Sequence, residues 1–180
     1  AAGRQTGQPW QNPRPRNLPL AKNTPMAGES KLLEETSKLV YESYGRDLDP
    51  TKEILITAGA TQGIFTCIQA LVEPGDEVLI LDPSYDCYVM PITLSQGIPV
   101  RIPLNDLFLP DWELIKQSTN EKTKLIITNN PHNPSGRIWS KADMQELSNL
   151  LQTNQNLYHL SDEVYAVSYT HLTLPTTWLV

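Results

Sequence analysis

Residues 124–136 read KLIITNNPHNPSG, and this stretch decides the fold. The run 124–128 is aliphatic and β-branched with no polar alternation, the pattern of a strand buried on both faces. A polar loop follows at once. Pro131 and Pro134 fix its backbone and Gly136 permits a positive φ, so the loop is rigid. A buried strand ending in a rigid polar loop suits a parallel sheet, where ligands bind beyond the carboxyl ends of the strands.

Working outward, strands and helices alternate. The spacing of Leu32, Leu33, Leu39, Val40 and Tyr44 predicts a helix over 29–44, stopped by Gly45. A short β-branched run predicts a strand over 54–57. The small-residue turn Ala58-Gly59-Ala60 then opens a helix bearing Ile64, Phe65, Ile68, Leu71 and Val72. Pro74-Gly75-Asp76 is a turn, 77–81 reads as a strand, 87–95 as a shorter helix and 99–102 as a strand. Asp111 caps a helix containing Trp112, Leu114 and Ile115. Ser140 and Asp143 form a capping-box pattern before Met144, Leu147, Leu150 and Leu151. A last strand is expected over 157–160. The connections are too long for hairpins, so the expectation is an α/β fold: a mainly parallel sheet flanked by helices on both faces.

Composition sets bounds on function. The chain has 180 residues, of which 39% are hydrophobic, enough for one α/β core or a little more. A net charge of −6 argues against nucleic acid as a partner, since that needs a basic face. No apolar run is long enough to predict a membrane span, and no secretory signal opens the chain. Cys67 and Cys87 form no Cys-x-x-Cys pair, which fits free thiols and a cytoplasmic setting. Both ends read differently from the middle. Residues 1–22 are rich in Gln, Pro and Arg, as expected of a disordered or out-of-frame arm. After Ala166, the string VSYTHLTLPT is similar to the translation of a common sequencing adapter, so 167–180 reads as a non-native tail.

Three polar clusters fall at expected strand ends. In the first, Gly59, Ala60, Thr61 and Gln62 let an anion approach the backbone at a helix N-terminus, with the Thr61 hydroxyl as an added donor. By itself this reads as an ordinary helix start. The second is the loop 129–136, in which Asn133 can present an amide to a ligand. His132, with no visible metal partners, reads as structural. The third is Ser161-Asp162-Glu163-Val164-Tyr165, with Asp162 expected at the edge of the sheet and Glu163 as a solvated acidic position.

Asn-Pro-His-Asn-Pro-Ser-Gly followed at this separation by Ser-Asp-Glu-Val-Tyr resembles the class I/II aminotransferases, a fold-type-I pyridoxal 5′-phosphate family. The resemblance covers roughly residues 24–166. Thr24-Pro25-Met26-Ala27-Gly28, Thr57-Ala58-Gly59-Ala60-Thr61-Gln62 and Asp82-Pro83-Ser84-Tyr85-Asp86-Cys87-Tyr88 point to its methionine and kynurenine branch. The resemblance implies that 23–166 are part of a cofactor-binding large domain, incomplete here. It also implies amino-acid and 2-oxo-acid substrates and a homodimer in the full-length form. By the same resemblance, Ala60 and Thr61, helped by Gln62, hold the cofactor phosphate, and Tyr85 stacks on the pyridine ring. Asn133 and Tyr165 bond its phenolic oxygen, and Asp162 pairs with the ring nitrogen. Asn23 stands where the family usually has a tyrosine. The lysine that carries the cofactor, and the arginine that grips the substrate carboxylate, are expected downstream of the Asp-Glu-Val-Tyr motif. Lys141, the last lysine, lies upstream of it, so these 180 residues by themselves are expected to be inactive. Two alternatives share the same cradle: a carbon–sulfur β-lyase and a non-catalytic cofactor-binding regulator.

Overall fold

The computed structural model describes residues 25–165. The expectations for the arm 1–22, for Asn23 and for the tail 167–180 lie outside the described residues. Four strands form one sheet: β1 (Glu77–Asp82), β2 (Ile98–Pro103), β3 (Thr123–Asn129) and β4 (Tyr158–Asp162), in the order β2-β1-β3-β4. Every pairing is parallel. The helices are α1 (Ser30–Tyr44), α2 (Ala60–Leu71), α3 (Val89–Leu94), α4 (Trp112–Ser118) and α5 (Lys141–Thr153), with a single 3-10 turn at Asp86–Tyr88.

Alternation along the strands divides the core into two layers. Val78, Ile80, Leu125, Ile127 and Leu160 pack against Ile64 and Ile68 of α2, Tyr88 of the 3-10 turn and Ile92 of α3. The intervening Leu79, Leu81 and Ile126 pack on the opposite face against Ile115 of α4, and Leu147 and Leu150 of α5. This explains why β1 and β3 read as unbroken apolar runs: each strand buries both faces. Burying one such side chain contributes roughly 1.5–3 kcal/mol, so the two layers dominate what holds these elements together.

Local signals set most boundaries. Gly45 ends α1 in the left-handed region (φ 65°), its N–H donating to Tyr41 O. The Asp111 side chain accepts from Leu114 N, and Ser140 with Asp143 makes the reciprocal capping box.

Three expectations need correction. Residues 54–57 are not a strand in the described fold. Ile56 N donates to Ala27 O, but a β-branched run becomes a strand only when a neighbour supplies a ladder, and no described strand runs beside it. Helix α1 forms, yet of its apolar stripe only Leu33 is buried, while Leu32, Leu39 and Tyr44 are exposed. The last strand is Tyr158–Asp162, so it begins one residue later than expected and carries Asp162 as its final residue.

Candidate active-site cleft

Strand order places the cleft. From β1 the chain moves through α3 to β2 on one side, then crosses back through α4 to β3 on the other, so the ends of β1 and β3 diverge between two crossovers on opposite faces. At that point lies an open cleft of about 270 Å³. The first turn of α2 contributes Ala60 and Thr61, and the segment after β1 contributes Tyr85. Asn129 ends β3, Asn133 sits on the following loop, and Asp162, Val164 and Tyr165 come from the end of β4. Six of the seven expected residues therefore share one cavity. Gln62 does not line it: its Oε1 accepts from Ala58 N at 2.6 Å, closing the turn before α2.

Asp162 is the most enclosed polar group of the cleft, 4% exposed. Its Oδ2 accepts from the Tyr88 hydroxyl at 2.6 Å and its Oδ1 from Val164 N at 3.2 Å. Both donors are neutral. A buried carboxyl held only by neutral donors is costly to keep charged unless a cation joins it. Burial, then the adjoining Asp162, pushes the Tyr88 phenol far above its ordinary value, so it serves as a permanent donor. Burial and the same carboxyl push the Cys87 thiol up to about 11, partly offset by a hydrogen bond with Thr61. At neutral pH this keeps Cys87 as the thiol and not the nucleophilic thiolate.

Asn129 ties the two strand ends together. Its Nδ2 donates to Asp162 O at 3.0 Å and its Oδ1 accepts from Asn133 N at 2.6 Å. The Asn133 amide in turn donates to Tyr165 Oη at 3.2 Å. Tyr85 is 43% exposed and meets Tyr88 edge-on, ring centroids 6.2 Å apart at 81°. That leaves the face of Tyr85 free to cover a planar ligand. No side chain caps the N-terminus of α2, and Gly59 before it sits at φ 94°, a left-handed value that favours glycine. The opening N–H groups of α2 thus remain as donors for an anion.

His132 is structural, as its setting predicted. It is buried, with Nε2 at 2.9 Å from Pro83 O and Nδ1 at 2.7 Å from Ser135 Oγ. Glu163 differs from expectation: it is half-buried, accepts from Ser161 Oγ at 2.9 Å, and burial raises its carboxyl. Sequence reasoning also missed Asn129 as a lining residue and Tyr88 as the partner of Asp162. For Asn129 the available signal was its place as the last residue of the buried strand. For Tyr88 the sequence offered none, because its partner is 74 residues away.

Fold and cleft together define an α/β protein with an open cleft at the carboxyl edge of a parallel sheet, an uncapped helix start on one side and a buried carboxyl opposite. Residues 16–174 match the model of the aminotransferase class I and II family, and the chain belongs to that family. It is 40% identical over 142 residues to methionine aminotransferase of Escherichia coli, covering 78% of this chain and 36% of that protein. It is 36% identical over 169 residues to mouse kynurenine–oxoglutarate transaminase 3, covering 84% and 37%. The crystal structure of a methionine aminotransferase from Escherichia coli superposes with a TM-score of 0.77 at 39% identity, covering 80% of this chain and 38% of that one. An aromatic aminotransferase from Pyrococcus horikoshii gives a TM-score of 0.76 at 31% identity, covering 80% and 39%. The chain thus spans little more than a third of the length of these relatives. Enzymes of this family depend on pyridoxal 5′-phosphate.

Proposed function

We propose that the protein to which this chain belongs transfers the amino group of an amino acid, of the methionine or aromatic and kynurenine type, to a 2-oxo acid. In this reading the cleft holds pyridoxal 5′-phosphate. The observation that carries it is the convergence of Thr61, Tyr85, Asn133, Asp162 and Tyr165 on one cavity. The donor set fits the cofactor group by group. An uncapped helix start suits a phosphate, and a buried carboxyl with neutral donors suits a cationic ring nitrogen.

When bound, the cofactor supplies a protonated pyridine ring able to accept the electrons left as the substrate's α-proton departs. Asp162 holds the proton at the ring nitrogen through a charge-assisted hydrogen bond. Asn133 and Tyr165, already bonded to each other, turn their remaining donors to the ring's phenolic oxygen and fix its tilt. Tyr85 covers one face, worth roughly 0.5–1.5 kcal/mol beyond its buried area. Ala60 and Thr61 bind the phosphate through backbone N–H groups and the Thr61 hydroxyl, with Gln62 bracing the turn from outside.

Among the described residues no lysine lines the cleft, and Lys141, the last in the sequence, opens α5. In this reading these 180 residues by themselves do not catalyse the transfer. Residues 23–166 form part of a large domain that works as a cytoplasmic homodimer. The test uses the full-length protein with methionine, kynurenine or an aromatic amino acid plus a 2-oxo acid. The expected result is amino transfer, abolished in Asp162→Ala. Pyruvate and ammonia from cystathionine, with no amino transfer from any donor, would assign the cleft to a carbon–sulfur lyase.

A further inference from the structure

We infer that Tyr88 is a positioning residue for the cofactor's ring nitrogen, acting through Asp162. This inference rests on the cofactor reading above. Tyr88 is 2% exposed, packed in the core layer between α2 and the sheet. It does not line the cleft. Nevertheless its hydroxyl donates 2.6 Å to Asp162 Oδ2, in a buried pair reaching from the turn before α3 to the end of β4.

The geometry gives this bond two consequences. First, it fixes the carboxyl rotamer: with Oδ2 tied to a phenol and Oδ1 to Val164 N, the carboxyl plane is held at two points. Second, it gives a carboxyl shielded from water a partner that water does not supply. Without the hydroxyl, the Asp162 carboxyl is held at one point only, through Val164 N. The lost orientation must be restored on binding, so affinity for a protonated ring nitrogen falls. Tyr88 also presents its ring at right angles to Tyr85. One side chain thereby links the group facing the ring nitrogen to the group covering the ring face. Phenylalanine at position 88 keeps the second contact and deletes only the first.

The experiment is an equilibrium titration of the full-length protein with pyridoxamine 5′-phosphate and with its 1-deaza analogue, in which carbon replaces the ring nitrogen. Tyr88→Phe is expected to weaken pyridoxamine phosphate about tenfold, the scale of a hydrogen bond to a charged group. It should change affinity for the deaza analogue less than about twofold, because that ligand has nothing for Asp162 to hold. Replacing Tyr88 by p-aminophenylalanine, which keeps an N–H donor in place, should restore most of the loss and guards against a variant that fails to fold. An equal loss with both ligands would make Tyr88 a packing residue and overturn the inference, as would no loss, or no rescue. If Asp162→Asn leaves pyridoxamine phosphate affinity unchanged, the cofactor reading itself falls, and this inference with it.

Discussion

Replacing Asn129 by alanine tests whether the cleft is held by its strand ends. Asn129 is buried and makes two side-chain bonds, 3.0 Å to Asp162 O and 2.6 Å from Asn133 N. Their loss is unequal in consequence. Asp162 O keeps a long bond from Asn130 N at 3.4 Å, so that carbonyl is not orphaned. Asn133 N loses the acceptor that anchors its loop, a part-buried bond worth about 0.5–1.5 kcal/mol. Adding about 1 kcal/mol for the second bond, Asn129→Ala should destabilise by about 1.5–2.5 kcal/mol. The assay is urea unfolding of the full-length protein, read as a lowered midpoint at unchanged slope. Asn129→Asp supplies the contrast: it keeps the acceptor for Asn133 N but turns a carboxylate toward the Asp162 carbonyl, so it should be no better than alanine. A cost below about 1 kcal/mol for alanine, or wild-type stability for aspartate, would refute the reasoning.

Three further outcomes follow from the geometry. Ser140→Ala should cost about 1 kcal/mol by removing the capping box of α5. Although burial pushes the Asp143 carboxyl up, hydrogen bonds from Ser140 and Trp112 outweigh it and hold the group below its ordinary value. The unfolded chain then binds more protons as acid is added, so this contribution is present above about pH 4 and lost below it; the Ser140→Ala profile should be flatter there. His159 is driven by burial down to about 4, so it stays neutral in the fold while the unfolded chain protonates near pH 6.5. Stability should fall as pH drops from about 6.5 toward 4, a slope that urea midpoints in His159→Phe should lack. Gly97→Ala should destabilise by about 1–3 kcal/mol, because a Cβ there would stand 2.6 Å from Val72 Cγ1 and 3.1 Å from Ile92 Cγ2; a melting temperature equal to wild type would refute the clash.

The architecture was legible wherever one element carried its own signal. The strand over 124–128 appeared because burial on both faces removes polar alternation, and α5 because its capping box is local. The convergence of Asp162 and Asn133 on one cavity was legible because the motif fell on or just beyond strand ends. What escaped were features fixed by partners that no periodicity marks, some distant and one only a turn away. Residues 54–57 have strand chemistry without a ladder, Tyr88 reads as one more core aromatic, and Gln62 turns toward Ala58 for want of a capping residue at Gly59. Periodicity reports which side chains seek burial, but not which of two adjacent polar groups will face a cavity.

His132 shows how loops that begin on different strands come to share one cleft. A carbonyl can only accept, so the bond to Pro83 O requires a proton on Nε2, and Nδ1 must then accept from the Ser135 hydroxyl. Ser135 Oγ closes the chain by accepting from Arg137 N at 3.2 Å. The neutral imidazole thus joins the loop bearing Asn133 to the segment bearing Tyr85, and burial, which lowers its proton affinity, keeps it neutral. His132→Phe should fill the space yet leave the Pro83 carbonyl without that donor, costing about 1–3 kcal/mol. If the clamp sets the width of the cleft, the same change should weaken pyridoxamine phosphate, whereas Ser135→Ala, which spares the bond to Pro83, should weaken it less. Equal affinity in His132→Phe and wild type would mean that β1 and β3 alone position the two loops.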